Sequence, residues 1–308
     1  MAQRPFTIGS RGSPLALAQA HMVASALEQA HGWPTGSVVI LPVRTSGDRI
    51  QDRPLAEVGG KALWTKELDV ALLAGETDCS VHSMKDVESE RPGTLRIAAM
   101  LQREDVRERL IGAAASIDAL PEGALIGTSS PRRSAQLKRL RPDLRTVPIR
   151  GNVDTRLAKW AAGEVDATLL AAAGLNRLGR EEVGAAITVA EMLPAPAQGA
   201  IGIECRADDA AAIALLEAID HAETHRAVLA ERAFCRALGG TCRSPVAAYA
   251  RFEADQIAFD CEILSEDGSE HMAETAVFAI GDLESPATLA RAMLARAPAS
   301  IRSLFEGG

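Results

Sequence analysis

The sequence predicts an α/β protein followed by a smaller α+β segment, and three observations carry this prediction. Of the 308 residues, 47% are hydrophobic but only 3% are aromatic, so Ala, Leu, Val and Ile must build the core, as in helices packed on sheets. Strand-like and helix-like segments alternate as far as about residue 219. From about Asp220 the pattern changes to one helix, a Gly/Cys loop, three alternating strands and a last helix.

The chain opens with a strand over Phe6–Ile8 and a helix from Pro14 to about Ala30. Ser13 suits the N-cap of this helix, and Pro suits its first position. The same pattern returns at residues 124–133 (ALIGTSSPRR), with Ser130 as the cap. Each segment directs the unpaired N–H groups of a helix N-terminus past a strand end, a geometry that binds anions. The repetition suggests two similar α/β domains that face one cleft.

A second strand is predicted over Val38–Val43 and a helix over Trp64–Leu73. Between them lies the polar, Gly-bearing stretch Thr45–Lys61 (TSGDRIQDRPLAEVGGK). So long a connection without apolar periodicity is typical either of a mobile lid or of a surface loop.

A third strand over Cys79–Met84 is followed by Lys85 and Asp86. Because ligands of open α/β sheets bind outside the carboxyl ends of strands, these two residues are well placed for chemistry. Cys79 and His82 share a CxxH spacing, but those positions point to opposite faces of a strand, so both are predicted to be mostly structural.

The second half of the α/β region continues the alternation. Arg150–Arg156 (RGNVDTR) follows a short strand and enters a helix, and Val165–Ala172 is apolar enough for a buried strand. The Pro-rich segment Leu193–Ala200 predicts a crossing between domains, after which a strand over Ala200–Glu204 rejoins the first sheet. A helix over Asp209–Ala218 follows. The C-terminal strands are predicted over Tyr249–Phe252, Ile257–Leu264 and Met272–Ile280, with a last helix from Pro286.

The number and spacing of the cysteines indicate in which cellular compartment the protein works. They are Cys79, Cys205, Cys235, Cys242 and Cys261, an odd number without CxxC spacing, which argues against a disulfide framework and a zinc ribbon. The N-terminal segment has no apolar h-region, and no run of eighteen apolar residues occurs, so neither a secretory signal nor a membrane span is expected. We therefore expect a cytoplasmic protein without a metal site.

The charge is distributed unevenly. The net charge of −8 disfavours nucleic acid as a partner. Between Thr128 and Trp160, however, nine Lys and Arg residues stand against two Asp residues, a local excess of seven. Such a cluster indicates a small polyanionic ligand. The alternative, a solvated helix face, is favoured for four of these residues: Lys138, Arg139, Arg141 and Arg145.

Five segments carry a resemblance to a known family. They are VHSMKDV (81–87), GTSSPRR (127–133), RGNVDTR (150–156), LPAPAQGAIGIE (193–204) and LGGTCRSP (238–245). They resemble the signature segments of the porphobilinogen deaminase family, occur in the family's order and span nearly the whole chain. Each segment alone is a weak signal, whereas the five together are specific.

The resemblance implies two α/β domains like periplasmic binding proteins around a cleft, plus a smaller C-terminal α+β domain. Domain 1 would comprise residues 1–102 and 197–219, domain 2 residues 103–196, and domain 3 residues 220–308. It further implies a dipyrromethane cofactor linked by a thioether to Cys242. On this primer the family condenses four porphobilinogens head to tail with loss of ammonia, and hydrolysis releases hydroxymethylbilane. A monomer is expected.

The resemblance also implies the binding residues. Arginine suits substrates that carry an acetate and a propionate on each ring, because its planar fork binds carboxylates in a bidentate way. The implied cofactor ligands are Lys85, Thr128, Ser129, Ser130, Arg132, Arg133, Arg156 and Gln198. The implied substrate ligands are Arg11, Ser13, Arg150, Arg156 and Arg177, and the implied lid residues are Lys61 and Trp64. Structural ion pairs are the alternative for any single arginine.

Asp86 is the predicted catalytic residue. A fixed carboxylate can relay the proton that expels ammonia and can stabilise the positively charged methylene-pyrrolenine that results. Without the surrounding motif, a helix cap or turn former would be the better interpretation of this Asp. Cys242 lies in a Gly-rich loop near Arg236 and Arg243, whose charge favours a reactive thiolate. The other cysteines are predicted to be buried, inert thiols.

Four positions depart from the family's commonest pattern. Thr241 and Ala197 stand where Gly is usual, Glu88 stands where Pro is usual, and Trp64 stands where Phe is usual. Packing within its own domain is the favoured role of Trp64, with stacking on a pyrrole as the alternative. The main rival function is a non-catalytic, two-lobed carboxylate-binding module, which would explain the arginines but not Cys242.

Overall fold

The computed structural model describes residues 5–45, 64–239 and 244–305. The chain divides into two compact units, a first unit of residues 1–104 and 199–225 and a second unit of residues 105–198 and 226–308. Each unit contains a five-stranded mixed sheet, and the second unit also contains a three-stranded antiparallel sheet. The predicted fold class is therefore confirmed, while the division into three domains stays a prediction.

The predicted elements are present in the predicted order with small shifts at their ends, and the structure adds three strands that were not predicted, β4, β5 and β9 below. The strands are β1 Thr7–Arg11, β2 Val39–Val43, β3 Cys79–Ser83, β4 Leu95–Met100, β5 Glu108–Gly112, β6 Leu125–Gly127, β7 Arg145–Val147, β8 Ala167–Ala171, β9 Ala185–Ile187, β10 Ile201–Arg206, β11 Val246–Glu253, β12 Gln256–Leu264 and β13 His271–Ala279. The helices are α1 Pro14–His31, α2 Lys66–Leu73, α3 Pro131–Leu140, α4 Val153–Ala161, α5 Ala172–Asn176, α6 Ala210–Glu217, α7 Ala222–Leu238, α8 Glu284–Arg296 and α9 Ala299–Arg302. A 3₁₀ turn, Met84–Asp86, follows β3.

The sheet of the first unit has the strand order β2-β1-β3-β10-β4. β1 is parallel to β2 and β3, whereas β10 is antiparallel to β3 and β4. β10 thus rejoins the first sheet, as predicted. Helix α1 packs on this sheet, where Val23 and Leu27 join Ile8, Val81 and Ile203 in one buried cluster.

The first sheet of the second unit repeats this topology with the order β7-β6-β8-β5-β9. β6 is parallel to β7 and β8, and β5 is antiparallel to β8 and β9. Its core contains Leu110, Ile126, Leu137 and Leu169. The repeated topology confirms the prediction of two similar α/β sheets from the two strand–turn–helix segments.

The C-terminal region forms the antiparallel sheet β11-β12-β13. Phe259 of β12 lies between Phe234 of α7 and Phe278 of β13, with ring centroids 5.4 Å away on each side. Met293 of α8 completes this core. The predicted α+β region is confirmed. Among the helices that the structure describes, none is long and apolar enough to span a membrane.

Candidate active site

Both helices that were predicted to begin with a Ser cap do so. The Ser13 hydroxyl accepts a hydrogen bond from the Ala16 N–H over 3.3 Å, and the Ser130 hydroxyl accepts one from the Arg133 N–H over 3.4 Å. Each hydroxyl satisfies one of the N–H groups that a helix N-terminus leaves unpaired. The two turns therefore have a structural role in addition to any ligand that they bind.

Asp86 is the last residue of the 3₁₀ turn at the carboxyl end of β3, and its side chain is exposed. Buried Met84 anchors this turn, because its N–H donates to the Ala200 carbonyl over 3.0 Å. The Met84 side chain also lies against Gly202 of β10, where an added Cβ would be 2.1 Å from the sulfur. The glycine is needed for this close approach. The position of Asp86 at a strand end is as predicted.

A small pocket in the first unit brings Asp86 together with residues from three other segments. Its lining includes Arg11 from the end of β1, Gln19 from α1, Trp64, and His82 from β3. The Arg11 guanidinium carbon lies 3.9 Å from the centroid of a Trp64 ring, a cation–π contact. Trp64 thus faces the pocket. Lys85 is exposed on the same turn as Asp86.

Four polar residues that line this pocket were not predicted to belong to a site: Gln19, Thr65, His82 and Ser83. Gln19 is buried, and its Nε2 donates to the Ser83 hydroxyl over 2.8 Å. His82 was predicted to be mostly structural, and its Nε2 lies 3.2 Å from an oxygen of buried Glu204. A Gln at a core-facing helix position is the one sequence signal that could have indicated Gln19.

Glu204 is fully buried and stays ionised. Burial alone would raise its pKa, but hydrogen bonds from His82 and Arg91 outweigh burial and lower the pKa to about 2. An ionised carboxylate only accepts hydrogen bonds. The Nε2 atom of His82 therefore carries a proton.

In the second unit, three predicted cofactor ligands meet at the buried carboxylate of Glu108. Arg132 Nη2 lies 2.5 Å from Glu108 Oε1, and Arg133 Nη2 lies 2.6 Å from Oε2. Gln198 Nε2 donates to Glu108 Oε1 over 3.1 Å and to the Val106 carbonyl over 2.7 Å. Ion pairing within the protein, the alternative stated for single arginines, therefore describes the contacts of Arg132 and Arg133 in this structure.

The cluster is electrically unbalanced. Arg132 and Arg133 share Glu108, whereas Arg139 pairs with Glu262 over 2.9 Å. Three guanidinium groups against two carboxylates leave one positive charge among these side chains. Burial is the largest cause that lowers the pKa of Arg132, and the neighbouring Arg133 lowers it further, although Glu108 opposes the shift. The contact with Glu262 also corrects the prediction that Arg139 lies on a solvated face, because β12 packs against α3 there.

The turn after β6 holds its hydroxyl groups in defined positions. The Ser129 hydroxyl donates to the Ile149 carbonyl over 2.8 Å, and the Thr128 hydroxyl accepts from the Ser130 N–H over 3.2 Å. β6, β7 and β8 are mutually parallel, so their carboxyl ends lie at one edge of the sheet. Thr128 and Arg150 come within three residues of the ends of β6 and β7, and Arg177 follows β8 after the short helix α5.

The remaining predicted ligand of this unit, Arg156, lies in the first turns of α4. Asn152 caps this helix and accepts from the Thr155 N–H over 2.9 Å. Arg156 Nε donates to the Gly151 carbonyl over 3.0 Å. Cys242, Lys61 and residues 46–61 of the predicted lid or loop lie outside the described residues.

The described cysteines are poor nucleophiles. Cys79, Cys205 and Cys261 are buried in strands, and burial raises the pKa of the Cys205 thiol to about 11 and of the Cys235 and Cys261 thiols to about 12. Burial also raises the pKa of Cys79. Thiolates are the reactive form, so the structure agrees with the prediction of buried, inert thiols at Cys79, Cys205 and Cys261, whereas Cys235 is only partly buried.

The structure shows the surroundings of two departures from the family pattern. Ala197 adopts φ +61°, the left-handed region that favours glycine, and its N–H donates to the buried Glu231 carboxylate over 2.5 Å. Glu88 lies 2.9 Å from Arg91 and accepts from the Thr65 hydroxyl over 3.3 Å. A proline would lack the Glu88 carboxylate and both of these contacts.

Comparisons with known proteins identify the family of this chain. The model of the porphobilinogen deaminase dipyrromethane cofactor binding domain matches residues 6–214, and the model of the porphobilinogen deaminase C-terminal domain matches residues 225–295. The porphobilinogen deaminase of Sphingopyxis alaskensis is 60% identical over 306 residues, covering 98% of this chain and 96% of the relative. That of Nitrobacter hamburgensis is 49% identical with the same coverage.

Solved structures of solute-binding domains are more distant. The second substrate binding domain of a putative amino acid ABC transporter from Streptococcus pneumoniae is 12% identical with a TM-score of 0.43, over 69% of this chain and 90% of that domain. The family matches define a dipyrromethane-binding transferase of tetrapyrrole biosynthesis. The chain belongs to the porphobilinogen deaminase family. These family matches support the predicted enzyme, and they do not support the non-catalytic binding module.

Proposed function

We propose that Asp86 is the acid that drives each condensation of porphobilinogen. The observation that carries this proposal is the exposed Asp86 carboxyl on a turn anchored by Met84, in the same pocket as Arg11. From this position Asp86 protonates the leaving amine, which departs as ammonia, and its carboxylate then faces the positive charge left on the substrate. When bound, the dipyrromethane supplies the unsubstituted pyrrole carbon that forms the new bond and loses its proton.

Arg11 is the proposed carboxylate-binding residue beside Asp86. Its stacking on Trp64 uses the face of the guanidinium, whereas a carboxylate binds along the N–H edge. The two contacts are therefore compatible, and the ring would fix the plane in which a carboxylate binds. Ser13 and Lys85 lie on the neighbouring turns and complete the proposed ligands of this unit.

The second unit supplies the proposed cofactor contacts. One excess positive charge in the Glu108–Glu262 cluster fits an anionic group, because a further carboxylate would neutralise it. The strand-end residues described above would hold the carboxylates of cofactor and growing chain. They are Thr128, Ser129, Ser130, Arg150, Arg156 and Arg177, with Arg132, Arg133 and Gln198 behind them.

Cys242 is the proposed attachment site of the cofactor. The described cysteines are unsuited to this role, because burial raises the pKa of each thiol. Intact-mass measurement of the purified protein should give a mass above the sequence mass by one two-ring unit. The increment should disappear in Cys242→Ser and persist in the matched variant Cys235→Ser. An unmodified Cys242 in active enzyme would refute this assignment.

A functional assay tests the proposal as a whole. Purified protein mixed with porphobilinogen should release ammonia and consume the pyrrole, and a protein that binds porphobilinogen without releasing ammonia would contradict it. We further propose a cytoplasmic monomer. Sedimentation at several protein concentrations should give one species near 32.5 kDa, and a species of twice this mass would overturn the monomer.

A further inference from the structure

Arg91 is the centre of a buried charge network on the sheet face that carries His82. Its side chain is only 8% exposed. Arg91 Nε and Nη2 donate to the two Glu204 oxygens over 2.8 and 2.9 Å. Nη2 also donates to Asp69 Oδ1 over 2.6 Å, and Nη1 donates to Glu88 Oε2 over 2.9 Å. One guanidinium therefore joins a central strand, a helix and the loop after the 3₁₀ turn.

The network reaches the pocket through three different segments. Thr65 lines the pocket, and its hydroxyl accepts from Arg91 Nη1 over 3.3 Å. Glu88 is two residues from Asp86 and directly follows a lining residue. His82 lines the pocket as well, and its Nε2–H donates to Glu204. Arg91 itself is not part of the lining, so it acts on the pocket through these partners.

A neutral side chain at position 91 would leave three carboxylates without their shared counter-ion. Asp69, Glu88 and Glu204 converge on this guanidinium. Burial raises the pKa of Asp69 even though Arg91 opposes the shift. Without the guanidinium, three carboxylates would face one another in a desolvated site, and repulsion would force protonation or separation of the segments that carry them.

We propose that Arg91 is a positioning residue for the pocket that holds Asp86. Through Glu204 it orients the His82 ring, and through Glu88 it holds the chain that leaves the 3₁₀ turn. Through Thr65 and Asp69 it fixes the start of α2 next to Trp64. The proposal rests on the proposed role of Asp86 and deepens it.

The test is steady-state kinetics of Arg91→Met with porphobilinogen as substrate. Misplacing reacting groups by an ångström mainly slows the chemical step, so kcat should fall about tenfold while KM changes less than about threefold. Arg91→Lys keeps a cation and should recover part of the lost kcat. The matched control is Arg206→Met, because Arg206 of the same unit also makes several hydrogen bonds, to the Leu72 and Thr77 carbonyls and to Asp209, and does not line the pocket.

Arg206→Met should lower the Tm and leave kcat at the wild-type value. Equal kcat in Arg91→Met and wild type, or an equal fall in both arginine variants, would reduce Arg91 to a structural role and overturn the proposal. If Arg91→Met fails to fold, Glu88→Gln replaces it, since Glu88 is partly exposed. That variant should lower kcat about threefold and shift Trp64 fluorescence in a Trp33→Phe/Trp160→Phe background. A Glu88→Gln variant with the kcat and the Trp64 fluorescence of the wild type would also overturn the proposal.

Asp86→Asn measured in parallel separates the two hypotheses. Full activity of Asp86→Asn would refute the role of Asp86, whatever Arg91→Met does. A slow Asp86→Asn beside a fully active Arg91→Met would refute the role of Arg91 alone.

Discussion

The two five-stranded sheets share one topology but use a buried glutamate in different ways. Glu204 lies on β10 and Glu108 on β5, and these strands hold the same place in their sheets. Both carboxylates are fully buried. In the first unit the ion-pair partners of Glu204 are His82, which lines the Asp86 pocket, and Arg91, which does not. In the second unit two ion-pair partners of Glu108, Arg132 and Arg133, come from the start of α3.

The placement of the arginine around each Ser cap explains the difference. Arg11 precedes the cap of α1 and lies at the pocket, against Trp64. Arg132 and Arg133 follow the cap of α3 and are turned into the interior. The same strand–turn–helix backbone therefore places a guanidinium at the pocket in one unit and buries two guanidinium groups behind the turn in the other.

Removing the buried carboxylate of Glu108 in the second unit should have the largest effect on stability. Glu108→Gln leaves two buried guanidinium groups without their shared counter-ion, and breaking such a pair costs about 3–5 kcal/mol. Urea unfolding should show this loss, with the exposed Glu122→Gln as the control at the wild-type value. A Glu108→Gln variant as stable as wild type would mean that the buried charge is compensated elsewhere.

Lowering the pH should reveal how much Glu204, the corresponding buried carboxylate of the first unit, contributes to stability. The folded pKa of Glu204 is about 2, below its ordinary value of 4.5, so the ionised form stabilises the fold. This contribution, about 3 kcal/mol, is fully present above about pH 4.5 and is lost as the pH falls towards 2. Unfolding free energies measured between pH 6 and pH 3 should fall less steeply in Glu204→Gln than in wild type. Parallel pH profiles would contradict this role.

Asp86→Asn should separate the chemistry of the first unit from its structure. The amide has nearly the same shape but cannot donate a carboxyl proton, so kcat should fall by about a hundredfold or more. Because Asp86 is exposed, the Tm should stay within a few degrees of wild type. Ammonia release is the measurement, and Asp208→Asn, an exposed Asp of the same unit, is the control. Near-normal turnover would exclude Asp86 as the acid.

The elements that were predicted from the sequence are those with a local signal. Ser13 and Ser130 each precede Pro at a helix start, and both caps are present. Strands β4, β5 and β9 were not predicted. β5 begins with Glu108 and Arg109, which conceal its apolar alternation, and β9 has only three residues. A strand of that kind is fixed by its neighbours in the sheet rather than by its own sequence.

The buried networks could not be predicted for a related reason. His82 and Glu204 are 122 positions apart, and Arg91 and Glu204 are 113 apart. No local pattern sets such pairs, since they depend on which strands become neighbours. The motif around Asp86 indicated the strand end at which the proposed acid lies, but the residues that hold its surroundings in place become visible only in the fold.

Substitution of Trp64 should have the smallest effect of these variants, and it tests selectively how the first unit positions Arg11. Trp64→Ala removes the ring beneath Arg11, and the lost cation–π contact of about 1 kcal/mol should raise KM for porphobilinogen about fivefold. The chemical step should change little, because Asp86 keeps its own anchor at Met84. Trp64→Phe retains an aromatic face and should stay close to wild type. A fall in kcat as large as that of Asp86→Asn, with KM unchanged, would show that Trp64 serves the reaction and not the placement of Arg11.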